Sequence, residues 1–165
     1  MKVLSVNRRG VPQAGPVALG RWGHADAPPG HPGQALWAYP VQHYAFWQTV
    51  RAQAKVADWG APLAHGAAGE DLTIDGLDEA RLWVGDFLVF PGCVLAVSEP
   101  HFPTEAVNAA LGFRHAAKLM WQSGFTGGWL GVIEPGPIEA GQAFTLQPGP
   151  RDVNLRDLFR ARTGA

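Results

Sequence analysis

Apolar residues in this chain come in short runs broken by turn residues, and the clearest set lies between Val84 and Thr104. Phe87-Leu88-Val89-Phe90 and Cys93 to Ser98 are two runs of strand length around Pro91-Gly92, with Gly85-Asp86 as a turn before them, and this pattern predicts a β-hairpin. In the second run Cys93, Leu95 and Val97 share one side. They are expected to face the core, which makes Cys93 a small inert apolar residue. Pro100 and Pro103 then end central pairing, because proline brings no N–H to the ladder. The exit delivers His101 and Thr104 to the mouth of whatever the strands enclose.

The same alternation predicts an opening strand over Lys2 to Asn7. From 11 to 33 the chain is rich in Gly, Pro and Ala and reads as one long surface loop over an end of the sheet. Ala35 to Tyr39 is a short apolar strand, and Pro40 suits the first position of a helix running to Val50. That helix is apolar around much of its circumference and is therefore expected to be buried, its aromatics in the core. Leu72 and Ile74 alternate with polar residues as in a half-buried strand, ended by the turn signal Asp75-Gly76. Thr104 to Gln122 has helical spacing at Ala106, Ala110, Phe113, Ala117, Met120 and Trp121, with Thr104 as N-cap, a break at Gly112 and a stop at Ser123-Gly124. Trp129 to Ile133 and Ile138 to Gln147 complete the sheet. A short helix over 152–163, capped by Asp152 or Asn154, ends the chain with Leu155, Leu158 and Phe159 on one face.

A length of 165 residues predicts a single domain over 1–165. Its 21 Gly and 14 Pro favour a turn-rich β architecture over a helix bundle. With 13 Lys+Arg against 14 Asp+Glu there is no charge excess to drive binding to nucleic acid or a membrane surface. No apolar run has bilayer length and MKVLSVNRRG has no signal-peptide core, so the expected location is the cytoplasm. One cysteine excludes an internal disulfide and a cysteine-based zinc site.

The candidate chemistry is sparse. Glu70-Asp71 could form a general acid/base couple, or its side chains could hydrogen-bond backbone in a turn. His101 could serve as a base or an anion contact, or make a structural hydrogen bond. His24, Asp26 and His31 have a spacing that could hold a metal, but with 6 histidines scattered through loops such coincidences are common, and no metal site is expected. Arg114 and Lys118, on the polar side of the helix beyond the hairpin, are the remaining anion-binding candidates.

Gly69-Glu70-Asp71-Leu72-Thr73, the Gly85-Asp86 hairpin, Pro100-His101-Phe102-Pro103-Thr104 and Ser123-Gly124-Phe125-Thr126-Gly127-Gly128-Trp129-Leu130 together carry a resemblance. The chain resembles the MOSC domain family (molybdenum cofactor sulfurase C-terminal domain), above all its small stand-alone bacterial members. These read G-E-N-L-T, then G-D, a hairpin ending P-R-x-P-C, and S-G-R-T-G-W-Y-x-R-V. The likeness runs from about Gly20 to Phe159. It implies a mainly β, α+β fold: a closed, bent β-barrel of about seven or more strands with a few flanking helices. It also implies a cysteine that takes molybdenum or a sulfur, arginines that hold the phosphate and pterin of the molybdenum cofactor, and, as an association of the family, pyridoxal phosphate binding.

Thr104 stands at the family's cysteine, His101 at the arginine before it, Phe125 at the arginine of S-G-R-T-G and Gly131 at the arginine after the tryptophan strand. Gly33 stands where an acidic residue is usual. A hydroxyl does not replace a thiolate as a soft ligand, so no cofactor is expected. The first expectation is a binding domain without the thiol chemistry, taking a small anionic or heterocyclic ligand or a protein partner, which includes a second copy of itself, at the barrel mouth. Its candidate contacts are Glu70, Asp71, His101, Thr104, Arg114, Lys118 and Thr126, with His101 and Thr104 as the catalytic candidates. The alternatives are an active molybdenum-cofactor-dependent or sulfur-carrying protein that detoxifies N-hydroxylated bases, and a purely structural fold.

Overall fold

Strand β1 (Lys2–Arg8) forms where the opening alternation predicts it, and Arg9-Gly10, both at positive φ, turn the chain into β2 (Val11–Pro12). The computed structural model describes residues 1–164; Ala165, the last residue of the expected domain, lies outside the described residues. The stretch 11–33 is not a plain loop. It builds β2, β3 (Val17–Gly20), β4 (Gly23–His24) and, at its end, a 3-10 turn over Pro32–Gln34. These strands are two to four residues long, too short to show a period. β2 and β4 pair with the neighbouring β1 and β3 across tight turns, and β3 also gains a distant partner in β10.

β5 (Leu36–Pro40) is buried along its whole length. Pro40 ends it and opens a 3-10 turn over Val41–His43, so the expected helix begins later, as α1 (Tyr44–Gln53). β6 (Leu72–Asp75) follows a long connection. The predicted hairpin is β7 (Phe87–Val89) and β8 (Val94–Pro100), in the register Leu88↔Leu95, with Phe90 N–H donating to Cys93 O at 2.8 Å across the Pro91-Gly92 turn. The expected amphipathic helix is split as predicted. α2 (Ala106–Leu111) stops at Gly112, whose φ of 65° is the left-handed conformation that ends helices, and α3 (Ala116–Ser123) stops at Gly124 in the same way. β9 (Gly128–Glu134), β10 (Gly136–Ile138), β11 (Thr145–Gln147) and α4 (Leu155–Thr163) complete the chain.

The main sheet runs β11-β7-β8-β9-β5-β6-β1-β2, antiparallel except for the β5–β6 pair that α1 connects, and β10-β3-β4 form a smaller sheet. The expectation of a closed barrel is met in part: the sheet is mixed with few helices, but its ladder has two ends. The backbone before β11 spans the gap. Val3 N–H donates to Gln142 O at 3.0 Å, Gly141 N–H to Val3 O at 2.7 Å and Phe144 N–H to Met1 O at 3.2 Å, so the sheet curls until β1 meets the approach to β11.

The pleat of β5 separates two apolar layers. Leu36 and Ala38 point into the core that the curled sheet encloses, with Leu72, Leu88, Cys93, Leu95, Val97 and Leu130. Trp37 and Tyr39 point the other way, into a layer shared with Trp47, Val107, Leu111 and Met120 of the helices. Cys93, Leu95 and Val97 are buried together on one side of β8, as the alternation predicts. Among the described residues no helix is long and apolar enough to cross a membrane.

Candidate functional site

The exit of β8 separates the two residues it was expected to present together. Pro103 O accepts a hydrogen bond from Trp121 Nε1 at 2.9 Å, which pins the exit to α3. Thr104 is then exposed at the approach to α2, its hydroxyl 3.4 Å from the N–H of Ala106. His101 turns inward. Its ring stacks on Trp37 at 3.7 Å and 8° and lies 5.2 Å from Trp129. Its Nδ1 is enclosed without a hydrogen-bond partner, and burial lowers the ring's pKa to about 4, so it is neutral at physiological pH.

Glu70 is enclosed in its own network. It accepts from Tyr44 Oη at 2.5 Å, from the Ala68 N–H at 3.0 Å and from Thr73 Oγ1 at 3.1 Å, while Asn7 Nδ2 donates to both Thr73 Oγ1 and the Glu70 carbonyl. Burial raises its pKa against these donors. Asp71 accepts the Trp37 N–H at 2.7 Å and ties the edge of β6 to β5; burial raises its pKa also. Thr126 is fully buried, its carbonyl accepting from Trp37 Nε1 at 2.8 Å. Arg114 and Lys118 are exposed on the far side of the helical layer, where Lys118 lines a shallow depression with Phe113 and His115.

The three residues with metal-like spacing have three separate partners. His24 Nε2 lies 3.0 Å from Asn7 O, Asp26 pairs with Arg8, and His31 Nδ1 accepts from the Gly33 N–H at 3.0 Å. No group of three metal-ligating side chains forms among the described residues.

A cavity of about 480 Å³ lies elsewhere, between the 3-10 turn after β5, the turn at 78–79, the Ser123–Phe125 loop and α4. Its chemistry was not legible in the sequence. His43 ends the 3-10 turn and is buried. Asp78 Oδ1 accepts from the N–H groups of Ala80 and Arg81 at 3.1 and 3.2 Å, a local turn that directs Glu79 inward. There both Glu79 oxygens lie 2.9 Å from His43 Nε2, and Oε1 also accepts the Gly127 N–H at 2.7 Å. Phe125 stacks on the other face of this arrangement, its ring 4.2 Å from that of His43.

α4 is fastened to the same turn. Asn154 caps it by accepting from the N–H groups of Arg156 and Asp157, and donates to Ala80 O at 2.7 Å; the Arg156 N–H donates to Glu79 O at 3.3 Å. Arg156 and Arg160, four residues apart on one helix face, thereby line the cavity. Neither is ion-paired among the described residues. Asp78 is occupied by Gln42 at 3.2 Å and Arg81 at 3.6 Å. The cavity thus has a carboxylate-held imidazole at its wall and two guanidinium groups free for an anion.

The MOSC domain family model matches residues 26–145. The chain is 32% identical over 129 residues to Protein YiiM of Escherichia coli (strain K12), covering 78% of this chain and 55% of that protein. It is 31% identical over 117 residues to the uncharacterized protein YflK of Bacillus subtilis (strain 168), covering 71% and 49%. It therefore spans about half the length of the curated relatives it matches. The crystal structure of YiiM from Escherichia coli superposes with a TM-score of 0.84 at 25% identity, over 100% of this chain and 79% of that one. The YiiM structure from Geobacillus stearothermophilus gives 0.78 at 27% identity, over 93% and 71%.

Proposed function

The chain belongs to the MOSC domain family, in its YiiM-like branch, and from that premise we propose that it is a binding domain that works without the family's thiol and takes a small anionic or heterocyclic ligand. The fate of the thiol carries this reading. The only cysteine, Cys93, is 2% exposed in the core, and burial, with the charge of Glu134 second, pushes its pKa up to about 11. It is neither a nucleophile nor a soft ligand at neutral pH.

The positions at which the resemblance expects the cofactor's holders do not fit that group. Thr104 offers an exposed hydroxyl, a poor ligand for a soft-thiolate site. At Gly131 an added Cβ would stand 3.0 Å from Pro32 O, so the 3-10 turn over Pro32–Gln34 fills the room a longer side chain needs. Phe125 brings no charge and is packed against His43 and Phe46. The same reading takes the curled sheet as the family's bent barrel, with its seam between residues 1–3 and 141–144. It also places the protein in the cytoplasm with neither nucleic acid nor membrane as partner, consistent with 13 basic against 14 acidic residues.

Metal analysis tests the central point. The protein, expressed in a host that makes the molybdenum cofactor and purified under mild conditions, is expected to carry no stoichiometric molybdenum by inductively coupled plasma mass spectrometry. Molybdenum approaching one atom per chain would refute the reading and favour the active alternative.

A further inference from the structure

We propose that the cavity between the Ser123–Phe125 loop and α4 is a proton-transfer site for a small anionic ligand: Arg156 and Arg160 hold its anionic group, and His43 Nδ1 accepts a proton from an O–H or N–H of the same molecule. This inference rests on the small-ligand reading above and deepens it by naming the site and its chemistry.

The Glu79 carboxylate can only accept, and its Oε1 already takes the Gly127 N–H at 2.7 Å. Both oxygens face His43 Nε2 at 2.9 Å, so Nε2 is the nitrogen that donates, and in the neutral ring Nδ1 keeps its lone pair. Among the described residues Nδ1 has no hydrogen-bond partner, yet it is not enclosed as His101 Nδ1 is. His43 is otherwise buried and lines the cavity, and we take that nitrogen as what the residue presents there.

The two histidines therefore differ in kind: His101 is sealed between tryptophans, and His43 is tethered on one nitrogen and open on the other. Arg156 and Arg160 stand on the same cavity, have no carboxylate partner among the described residues and supply planar donors for a phosphate or carboxylate. In the transfer the ligand's O–H or N–H bond breaks and an Nδ1–H bond forms, while the electron pair stays on the ligand. The resulting imidazolium is stabilised by Glu79. The charged groups that face His43 are Glu79 and Asp78 from the turn and Arg156 and Arg160 from α4. Glu79 acts through His43 and is a positioning residue.

The test uses the full chain, with proton–nitrogen correlation spectra to report which imidazole nitrogen is protonated and phenyl phosphate as the anionic probe. In the wild type the His43 proton is expected on Nε2. Glu79→Gln should move it to Nδ1, because the new amide must keep its oxygen toward the Gly127 N–H and turn its NH₂ toward Nε2. A merely structural role for Glu79 predicts no such change. Phenyl phosphate at millimolar concentration should shift the His43 ring signals saturably, and replacing both exposed arginines (Arg156→Gln with Arg160→Gln) should weaken it by on the order of tenfold or more.

A wild-type His43 protonated on Nδ1, a probe that leaves the His43 signals unmoved, or equal binding by the double arginine variant would each overturn the proposal. The wild-type tautomer and the arginine variant decide the matter even if Glu79→Gln does not fold. Molybdenum in the purified protein would overturn the thiol-free reading while leaving these measurements standing. A molybdenum-free protein that ignores phenyl phosphate would sink this site alone.

Discussion

Two buried glutamates, nine residues apart in the chain, show how differently the fold uses the same side chain. Glu70 sits between β5, β6 and the helical layer with every neighbouring donor pointed at it: Tyr44, Thr73 and the Ala68 N–H. Glu79 is also hydrogen-bonded, to His43 and the Gly127 N–H, but its partner His43 lines a cavity and has a second nitrogen without a hydrogen-bond partner among the described residues. Both side chains are buried and both are hydrogen-bonded. What separates a structural network from a candidate site is an unfilled hydrogen-bonding position next to open volume.

The largest expected effect attacks the first half of this contrast. Glu70→Ala leaves three donors in the interior without an acceptor, each costing about 1–3 kcal/mol, so the variant should lose at least about 3 kcal/mol in urea unfolding. Glu79→Ala strips the Gly127 N–H and His43 beside a cavity that water can enter, and should lose only about 1–2 kcal/mol. Equal losses would mean that the two networks do the same job and that the contrast is false.

The sealed network was the more legible of the two. Glu70 and Asp71 stand next to the Leu72/Ile74 alternation, and a backbone-binding role for acidic residues at a turn could be read from local sequence; the hairpin and the helix break at Gly112 were equally local. Cys93 followed from period two. His43 and Glu79 are 36 positions apart and belong to no motif that the chain announces. One lies at the end of a 3-10 turn hidden inside an apparent helix, the other in a turn between strands. The strands of 11–33 escaped because they are too short to show a period, and β3 has its second partner, β10, more than a hundred residues along the chain. The one local hint of the cavity was a histidine three residues after Pro40, just before the aromatic run from Tyr44 to Trp47.

The second effect uses pH to separate the two histidines. His101, with its ring pKa lowered by burial to about 4, takes up its proton more readily in the unfolded chain, where the ordinary value is about 6.5. Its contribution to stability is therefore intact above about pH 6.5 and declines as the pH falls toward 4, the loss reaching about 3 kcal/mol once both states are protonated. Glu70 and Asp71 act in the opposite sense, because their raised values cost stability as the pH rises through them. The comparison must therefore be between wild type and His101→Phe, which keeps a ring against Trp37 and removes the enclosed nitrogen. The variant's urea midpoint should fall less than the wild type's between about pH 7 and pH 4. Parallel curves would mean that His101 is not sealed and that the stack on Trp37 opens.

The smallest effect on stability tests the place where the resemblance expects reactive sulfur. Thr104 is exposed, and its side chain makes only a 3.4 Å contact with the Ala106 N–H, so Thr104→Cys should cost less than about 1 kcal/mol. The exchange puts a thiol in solvent while Cys93, its pKa pushed up to about 11, stays in the core. Iodoacetamide attacks thiolates, so the introduced thiol should be alkylated at neutral pH while Cys93 in the same folded molecule remains intact, and both should react in denaturant. A mass-spectrometric time course on wild type and variant resolves the two sites. Fast labelling of Cys93 in the folded wild type would show that the curled sheet opens at the β7–β8 turn, and with it would go the claim that this chain presents no usable thiol. An introduced thiol that resists labelling would show that the exit of β8 is covered in solution, and the contrast between a closed region and an open one would have to be redrawn around Thr104.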